Sequence, residues 1–532
     1  MSLARNMFAQ SFFTLGSRIL GFARDLLLSA RFGQGAMMDV WGTAILIPNL
    51  FRRLFAEGAF AQAFVPVYGK IHAESGADEA ARVASNTMSF LMFVVVGFCI
   101  VMQVAMPALM PWLLSVYRSD EQVMRTAVFV TQLTMPYLAC MTLASLLQGV
   151  LNTAGRFALA AAAPILLNVF TIAPLILAPN NELALWIGCG AVTAAGVAQA
   201  GLLWWGARRL GVKLRFGAPT LTPEVRRVMV LAIPGAIAGG ALQLNSLISQ
   251  ILAGSSEGAR AVLYNADRLY QLPLGLVGVA IGLALVPRLT RAFVADDHDA
   301  GVRTMDDGIA LSMAFTLPAA AALLIMPYFI IDATATRGAF TSEDARRTAN
   351  VLQHFAWGVP AFVLAKVLTP PFFARQDTAR PMRFSLITVA ANTALSAALF
   401  YGLTQMGRDG VQGLAIATSV CAWLNVALLS RGLARDGLYK VGPAVWARLL
   451  RIGLATGLMA IFTTLCAMNY DRLTEIFRWK EVAVVMVVLA AFSLYGLAAL
   501  AVRAISVSEL RGALRREKNI DHTPGLPGGM DG

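Results

Sequence analysis

Charge is what this sequence has least of: only 14 % of its 532 residues are Asp, Glu, Lys or Arg, against 58 % apolar residues. A soluble domain carries about a quarter charged residues, so this chain could not clothe a water-facing surface. A mean hydropathy of +0.66 assigns most of it to lipid. A secreted globular enzyme and a disordered scaffold are thereby excluded. Short alternating segments are missing too, which excludes an outer-membrane barrel. Cysteine is sparse: Cys99, Cys140, Cys189, Cys421 and Cys466 sit singly in apolar stretches without C-x-x-C spacing, implying neither disulfides nor a metal centre. The four histidines are not clustered, which argues against zinc. The acidic run Asp296-Asp-His-Asp299 with Asp306-Asp307 reads as a solvated loop rather than a divalent-ion site. No P-loop occurs, so this chain does not itself couple to ATP. No metal and no cofactor is expected.

Long apolar runs are what the chain has in plenty. Stretches of about 20 residues fall near 9–32, 37–68, 86–113, 127–152, 158–179, 183–206, 227–253, 262–287, 308–331, 349–374, 384–404, 411–430, 449–468 and 482–502. The expectation is an all-α polytopic membrane protein with about 14 transmembrane helices. Met1–Asn6 leads into a first segment bearing Arg18, Arg24 and Asp25, unlike a cleavable signal. When loops are assigned to alternate sides, 26 basic residues fall on one side and 11 on the other, which puts both termini in the cytoplasm. That asymmetry accounts for the net charge of +13 without nucleic acid. No loop exceeds about 20 residues, leaving no extramembrane domain for a soluble active site. The tail is basic, then rich in Gly and Pro (Thr523-Pro-Gly-Leu-Pro-Gly-Gly), and is expected to be disordered.

A repeat is also present. Met135-Pro-Tyr…Leu151-Asn-Thr-Ala-Gly-Arg156…Asn168 recurs as Val359-Pro-Ala…Arg375-Gln-Asp-Thr-Ala-Arg380…Asn392, with Pro136/Pro360, Arg156/Arg380 and Asn168/Asn392 all offset by 224. Phe64-Val-Pro66-Val falls opposite Leu285-Val-Pro287-Arg at 221. Duplication predicts two pseudo-symmetric six-helix lobes, residues 1–215 and 216–440, of the kind transporters use for alternating access. Spans thirteen and fourteen (441–505) and a cytoplasmic tail (506–532) stand outside the repeat.

Ten ionisable residues lie within the spans: Arg18, Arg24, Arg52, Arg53, Arg268 and Lys366, with Asp25, Asp39, Glu57 and Asp267. A charge at a helix centre costs about 2.5–3.5 kcal/mol, so their retention points to a wet interior cavity. Arg18 and Asp25 fall on nearly the same helical face and Arg24 is rotated by roughly 120°. Arg53 and Glu57 can pair at i, i+4, leaving Arg52 the freer cation. Asp267 adjoins Arg268. Structural ion pairs that lock helices together remain the alternative. A net-cationic cavity suits an anionic substrate, and the arginine fork suits phosphate.

The runs Ser17-Arg-Ile-Leu-Gly-Phe-Ala-Arg-Asp25, Asp39 and Pro48-Asn-Leu-Phe-Arg-Arg-Leu-Phe-Ala-Glu-Gly-Ala-Phe-Ala-Gln-Ala-Phe-Val-Pro66 closely resemble the MurJ (MviN) family of lipid II flippases. So do Leu151-Asn-Thr…Arg156-Phe, Tyr264-Asn-Ala-Asp-Arg-Leu269 and Phe372-Phe-Ala-Arg-Gln-Asp377, the resemblance running from about residue 5 to 505. It implies membership of the multidrug/oligosaccharidyl-lipid/polysaccharide exporter superfamily. The implied activity is non-enzymatic flipping of the undecaprenyl-diphosphate-linked peptidoglycan precursor, lipid II, across the bacterial inner membrane. Under the resemblance Arg18, Arg24, Arg52 and Arg268 bind substrate. Asp25, Asp39, Arg53, Glu57, Asp267 and Lys366 support or gate the site, and the last two spans form a groove for the lipid tail. Lipid II and membrane lipids are the implied partners, with other cell-wall synthesis proteins as further candidates. Some members use a span-seven carboxylate for sodium. Here 227–253 holds no acid, with Gln243 and Asn245 as polar substitutes. A drug or cation antiporter, or an exporter of another lipid-linked oligosaccharide, is the competing reading, and an antiporter would favour an acidic, aromatic cavity.

Overall fold

The computed structural model describes residues 3–52, 59–284, 298–375 and 377–504. Among the described residues there is no strand, in agreement with the all-helical expectation. The chain opens with α1 (Leu3–Phe32), α2 (Ala36–Arg52) and α3 (Ala59–Leu113), followed by α4 (Glu121–Thr134) and α5 (Pro136–Thr153). Next come α6 (Phe157–Leu177), α7 (Asn181–Arg209), α8 (Pro223–Ala253) and α9 (Ala259–Ala284). Then follow α10 (His298–Ile325), α11 (Pro327–Ala335), α12 (Ser342–Ala356), α13 (Val359–Leu368) and α14 (Pro370–Ala374). The last are α15 (Ala379–Gln405), α16 (Val411–Arg435), α17 (Pro443–Met468), α18 (Tyr470–Phe477) and α19 (Lys480–Ala501).

Local chemistry sets these boundaries. Asp120 and Asn180 cap α4 and α7 by accepting the N–H groups of Val123 and Leu183 at 3.0 and 2.8 Å. Thr222 caps α8, with Pro223 at its first turn, where no N–H is needed. The 55-residue α3 is broken at Gly76 (φ 85°), inside its polar stretch between Lys70 and Arg82. Pro136 and Pro360 each lie in the first turn of a helix, and Asn168 and Asn392 are both buried.

Among the described residues, ten helical segments are long and apolar enough to cross a membrane. They correspond to ten of the fourteen expected spans. The other four fall on α1, α2, α8 and α9, and parts of 37–68 and 262–287 lie outside the described residues. The chain's surface confirms the solvent. On α17, Leu450, Leu454, Ile461 and Leu465 point outward, each more than half exposed, while Ile452, Ala455, Met459 and Thr463 face the protein. A water-soluble helix turns the opposite way, since only hydrocarbon welcomes such a stripe.

Contacts gather the chain into two compact units. The first comprises Met1–Leu269, Thr334–Leu352 and Met382–Cys421, with a core built on Trp41, Phe64, Met88, Met106 and Met110. The second comprises Tyr270–Ala333, Gln353–Pro381 and Ala422–Gly532. In it Met326, Phe329, Val484 and Val487 pack together, and the buried Asp332 accepts hydrogen bonds from Tyr470 and, at 3.2 Å, from Lys480.

Candidate functional site

Within the first unit, α1 and α9 bring together charges far apart in sequence. Arg24 donates to Asp25 Oδ1 through Nε at 3.1 Å and Nη2 at 2.8 Å. Arg268 Nε meets the other oxygen, Oδ2, at 3.1 Å. The Tyr264 hydroxyl donates to Oδ1 at 2.5 Å and accepts from Arg268 Nη2 at 3.2 Å, while the Arg268 guanidinium lies 4.8 Å from the centre of the Tyr264 ring. One turn on along α1, Ser29 Oγ donates to Asn265 Oδ1 at 2.9 Å and fastens the same two helices. A single carboxylate thus carries two guanidiniums, and the Asp267 carboxylate also acts on Arg268. Asp25 is nearly enclosed (8 % exposed) and Arg24 little less so (13 %), whereas Arg268 is 43 % exposed and offers the accessible donor face. Two guanidinium forks held close are a donor set of the kind that suits a multiply charged anion.

The other expected site residues are arranged differently. Arg18 is exposed on α1, on the turns before this cluster. Arg52, half-buried at the end of α2, donates through Nε to Asn49 Oδ1 at 3.1 Å, so its head is held locally rather than swinging free. Asp267 is half-buried beside Arg268, and Lys366 is exposed on α13. Arg53 and Glu57 lie outside the described residues, as do Asp296 and Asp297 of the acidic run. Among the described residues no cluster of His, Cys, Asp or Glu could hold a metal ion.

Asp39 belongs to a second construction, a clasp at one end of the first unit. Its buried carboxylate accepts the N–H of Gly258 at 2.8 Å and of Ala261 at 3.3 Å, and the Tyr117 hydroxyl at 3.0 Å. Burial, with the Asp39 carboxylate next to it, pushes the Tyr117 phenol well above its ordinary pKa, so it remains a donor. Arg260, also buried, donates to Thr43 and to the carbonyls of Leu113 and, at 2.8 Å, Gln250. Gln34 reaches Asp344 O at 2.8 Å and Thr348 Oγ1 at 2.5 Å. Arg347 ties Glu257 O at 2.7 Å to the Asp409 carboxylate at 2.6 Å. Backbone approaches backbone here: a Cβ on Gly258 (φ +69°) would run into the Gln34 carbonyl, and one on Gly338 (φ +58°) into that of Ala30.

Sequence reasoning passed over three of these residues. Tyr264 carries no charge, so an inventory of charged groups in the spans omits it, although it stands in a quoted motif. Tyr117 and Arg260 fall outside the expected spans. A loop arginine counts toward orientation, and only its burial at 3 % exposure marks it as structural.

An all-helical membrane fold with a cationic cluster inside it is a transporter architecture. The fold matches an inward-facing multidrug resistance MATE family transporter of the MOP superfamily at a TM-score of 0.63 and 12 % identity, covering 81 % of this chain and 98 % of that one. A solved structure described as lipid II flippase MurJ in an inward closed conformation matches at a TM-score of 0.74 and 20 % identity, covering 92 % and 98 %. The family model "Lipid II flippase MurJ" matches residues 28–507. A probable lipid II flippase MurJ of Rhizobium tropici is 40 % identical over 451 residues, 84 % of this chain and 83 % of its own. The lipid II flippase MurJ of Burkholderia cenocepacia is 34 % identical over 484 residues, 88 % and 91 %. The chain belongs to the MurJ lipid II flippase family.

Proposed function

We propose that this chain flips lipid II from the inner to the outer leaflet of the bacterial cytoplasmic membrane, for peptidoglycan synthesis, by alternating access. The observation that carries this reading is the Arg24–Asp25–Arg268 group: two arginines on one carboxylate, within an apolar chain whose relatives are named as lipid II flippases. A drug or cation antiporter would present carboxylates to its cargo, whereas here the carboxylate is taken up by arginines. Arg24 and Arg268 receive the diphosphate, with Arg18 and Arg52 as further cations along its path. Asp25 sets the pair, and Asp39 holds the clasp. Asp267 and Lys366 are supporting charges, as are Arg53 and Glu57.

The six-helix repeats, 1–215 and 216–440, are the lobes that rock, and the last two spans (441–505) hold the polyprenyl tail. With both termini in the cytoplasm, the clasp seals the outer end. The chain acts as a carrier, with no covalent step and no cofactor. The test is depletion of the protein in growing cells followed by extraction of lipids. Lipid II should accumulate in the inner leaflet, whereas accumulation of a different lipid-linked saccharide, or of none, would sink the reading.

A further inference from the structure

We propose that Tyr264 makes the site selective for two linked phosphates: its hydroxyl locks the Asp25 carboxylate so that Arg24 and Arg268 stand as a pair, one guanidinium for each phosphate. This rests on the reading that the two arginines receive a polyprenyl diphosphate.

A carboxylate on a short side chain can turn about its last bond, exchanging its two oxygens. With only two arginines attached, it could follow whichever cation an anion drew away. The phenol prevents this. Tyr264 donates to Oδ1 at 2.5 Å, on the oxygen that Arg24 also uses, and accepts from Arg268, whose Nε holds Oδ2. Each oxygen is therefore assigned to one arginine. The Tyr264 ring lies beneath the Arg268 guanidinium at 4.8 Å from its centre, which fixes the plane of that fork as well. Among the described residues, each guanidinium directs its Nε and one Nη into this arrangement, and its other N–H groups are the donors a phosphate oxygen would take. A lone phosphate can face one fork squarely but not both. A diphosphate presents two groups at a fixed separation and gains from both, provided the separation of the forks is also fixed. Tyr264 is thus a positioning residue: it touches Arg268 and the carboxylate that both arginines share.

The readout is a ratio rather than an affinity. A polyprenyl diphosphate and the matching polyprenyl monophosphate are titrated into the solubilised full-length protein, for the parent and for Tyr264→Phe. The substitution keeps the ring under Arg268 and removes only the hydroxyl. The preference for diphosphate should fall about ten-fold, the effect of one hydrogen bond to a charged group, with monophosphate binding little changed. Partial misfolding would weaken both ligands equally and leave the ratio intact, so an unchanged ratio overturns this inference. Arg24→Ala and Arg268→Ala separate the two levels. If both still bind diphosphate as the parent does, the site assignment itself fails. If both weaken it while Tyr264→Phe leaves the ratio unchanged, only the role of Tyr264 is lost.

Discussion

Asp25 holds Arg268 at 3.1 Å through one carboxylate oxygen while the other oxygen is occupied by Arg24 and Tyr264, so the first helix and the ninth meet over one negative charge. This makes the structural and the functional reading of Arg24 separable. If Arg24 merely neutralises Asp25, removing both charges together should restore the site. If it grips phosphate, Arg24→Lys should bind lipid II about 10- to 150-fold more weakly, the loss of one charge-assisted hydrogen bond. That deficit should persist when Asp25→Asn is added. Rescue of Arg24→Ala binding by Asp25→Asn would assign Arg24 to an ion pair alone.

Asp39 anchors the clasp by accepting the amide hydrogens of Gly258 and Ala261. Asp39→Asn removes the charge and presents an amide that is donor on one side. Hydrogen exchange at those two amides should quicken by about 10-fold or more, since hydrogen bonds to charged groups contribute roughly 1.5–3 kcal/mol. Unchanged exchange would show that the clasp does not depend on this carboxylate.

Gly338 adopts φ +58° with its missing side chain aimed at the Ala30 carbonyl. Gly338→Ala combines a left-handed backbone, costing roughly 1–2 kcal/mol, with a backbone clash. The melting temperature should drop, and Ala339 N–H, which donates to Ala30 O at 2.7 Å, should lose exchange protection.

In the second unit, Lys480→Met leaves Asp332 with Tyr470 alone. The expected loss is roughly 2–3 kcal/mol, below the range for a fully enclosed pair because the Lys480 side chain is 32 % exposed. Adding Asp332→Asn should recover much of it, as read by thermal unfolding in detergent.

A diphosphate moving outward descends an inside-negative potential worth about 2.3 kcal/mol per charge per 100 mV. Collapse of the potential with ion gradients maintained should therefore slow flipping. An unaltered rate would mean the energy enters elsewhere.

Much of this was legible in the sequence because membranes make charge conspicuous. Arg24, Asp25, Arg268 and Asp39 stand out in apolar runs, and the first three do meet in one group. Helical periodicity set Arg24 well off the Asp25 face, yet the flexible arginine side chain wraps back to its neighbour. That is a matter of rotamer, which spacing does not encode. Tyr264 was hidden because a phenol is unremarkable in a membrane helix. Arg260 was hidden because its partners, the Thr43 hydroxyl and the backbone carbonyls of Leu113 and Gln250, carry no charge that a sequence pattern reveals. The clasp depends on chain segments as distant as Gln34 and Thr348, and their meeting is a property of the tertiary fold.

The most direct measurement is lipid II translocation by the purified protein in sealed vesicles, comparing the parent with Arg24→Lys and Arg268→Lys. Both substitutions retain positive charge and remove the planar fork. The arginine-pair account predicts that the parent flips lipid II while both variants, folded and inserted, flip it about 10-fold or more slowly. Parent-like translocation by both lysine variants would contradict it.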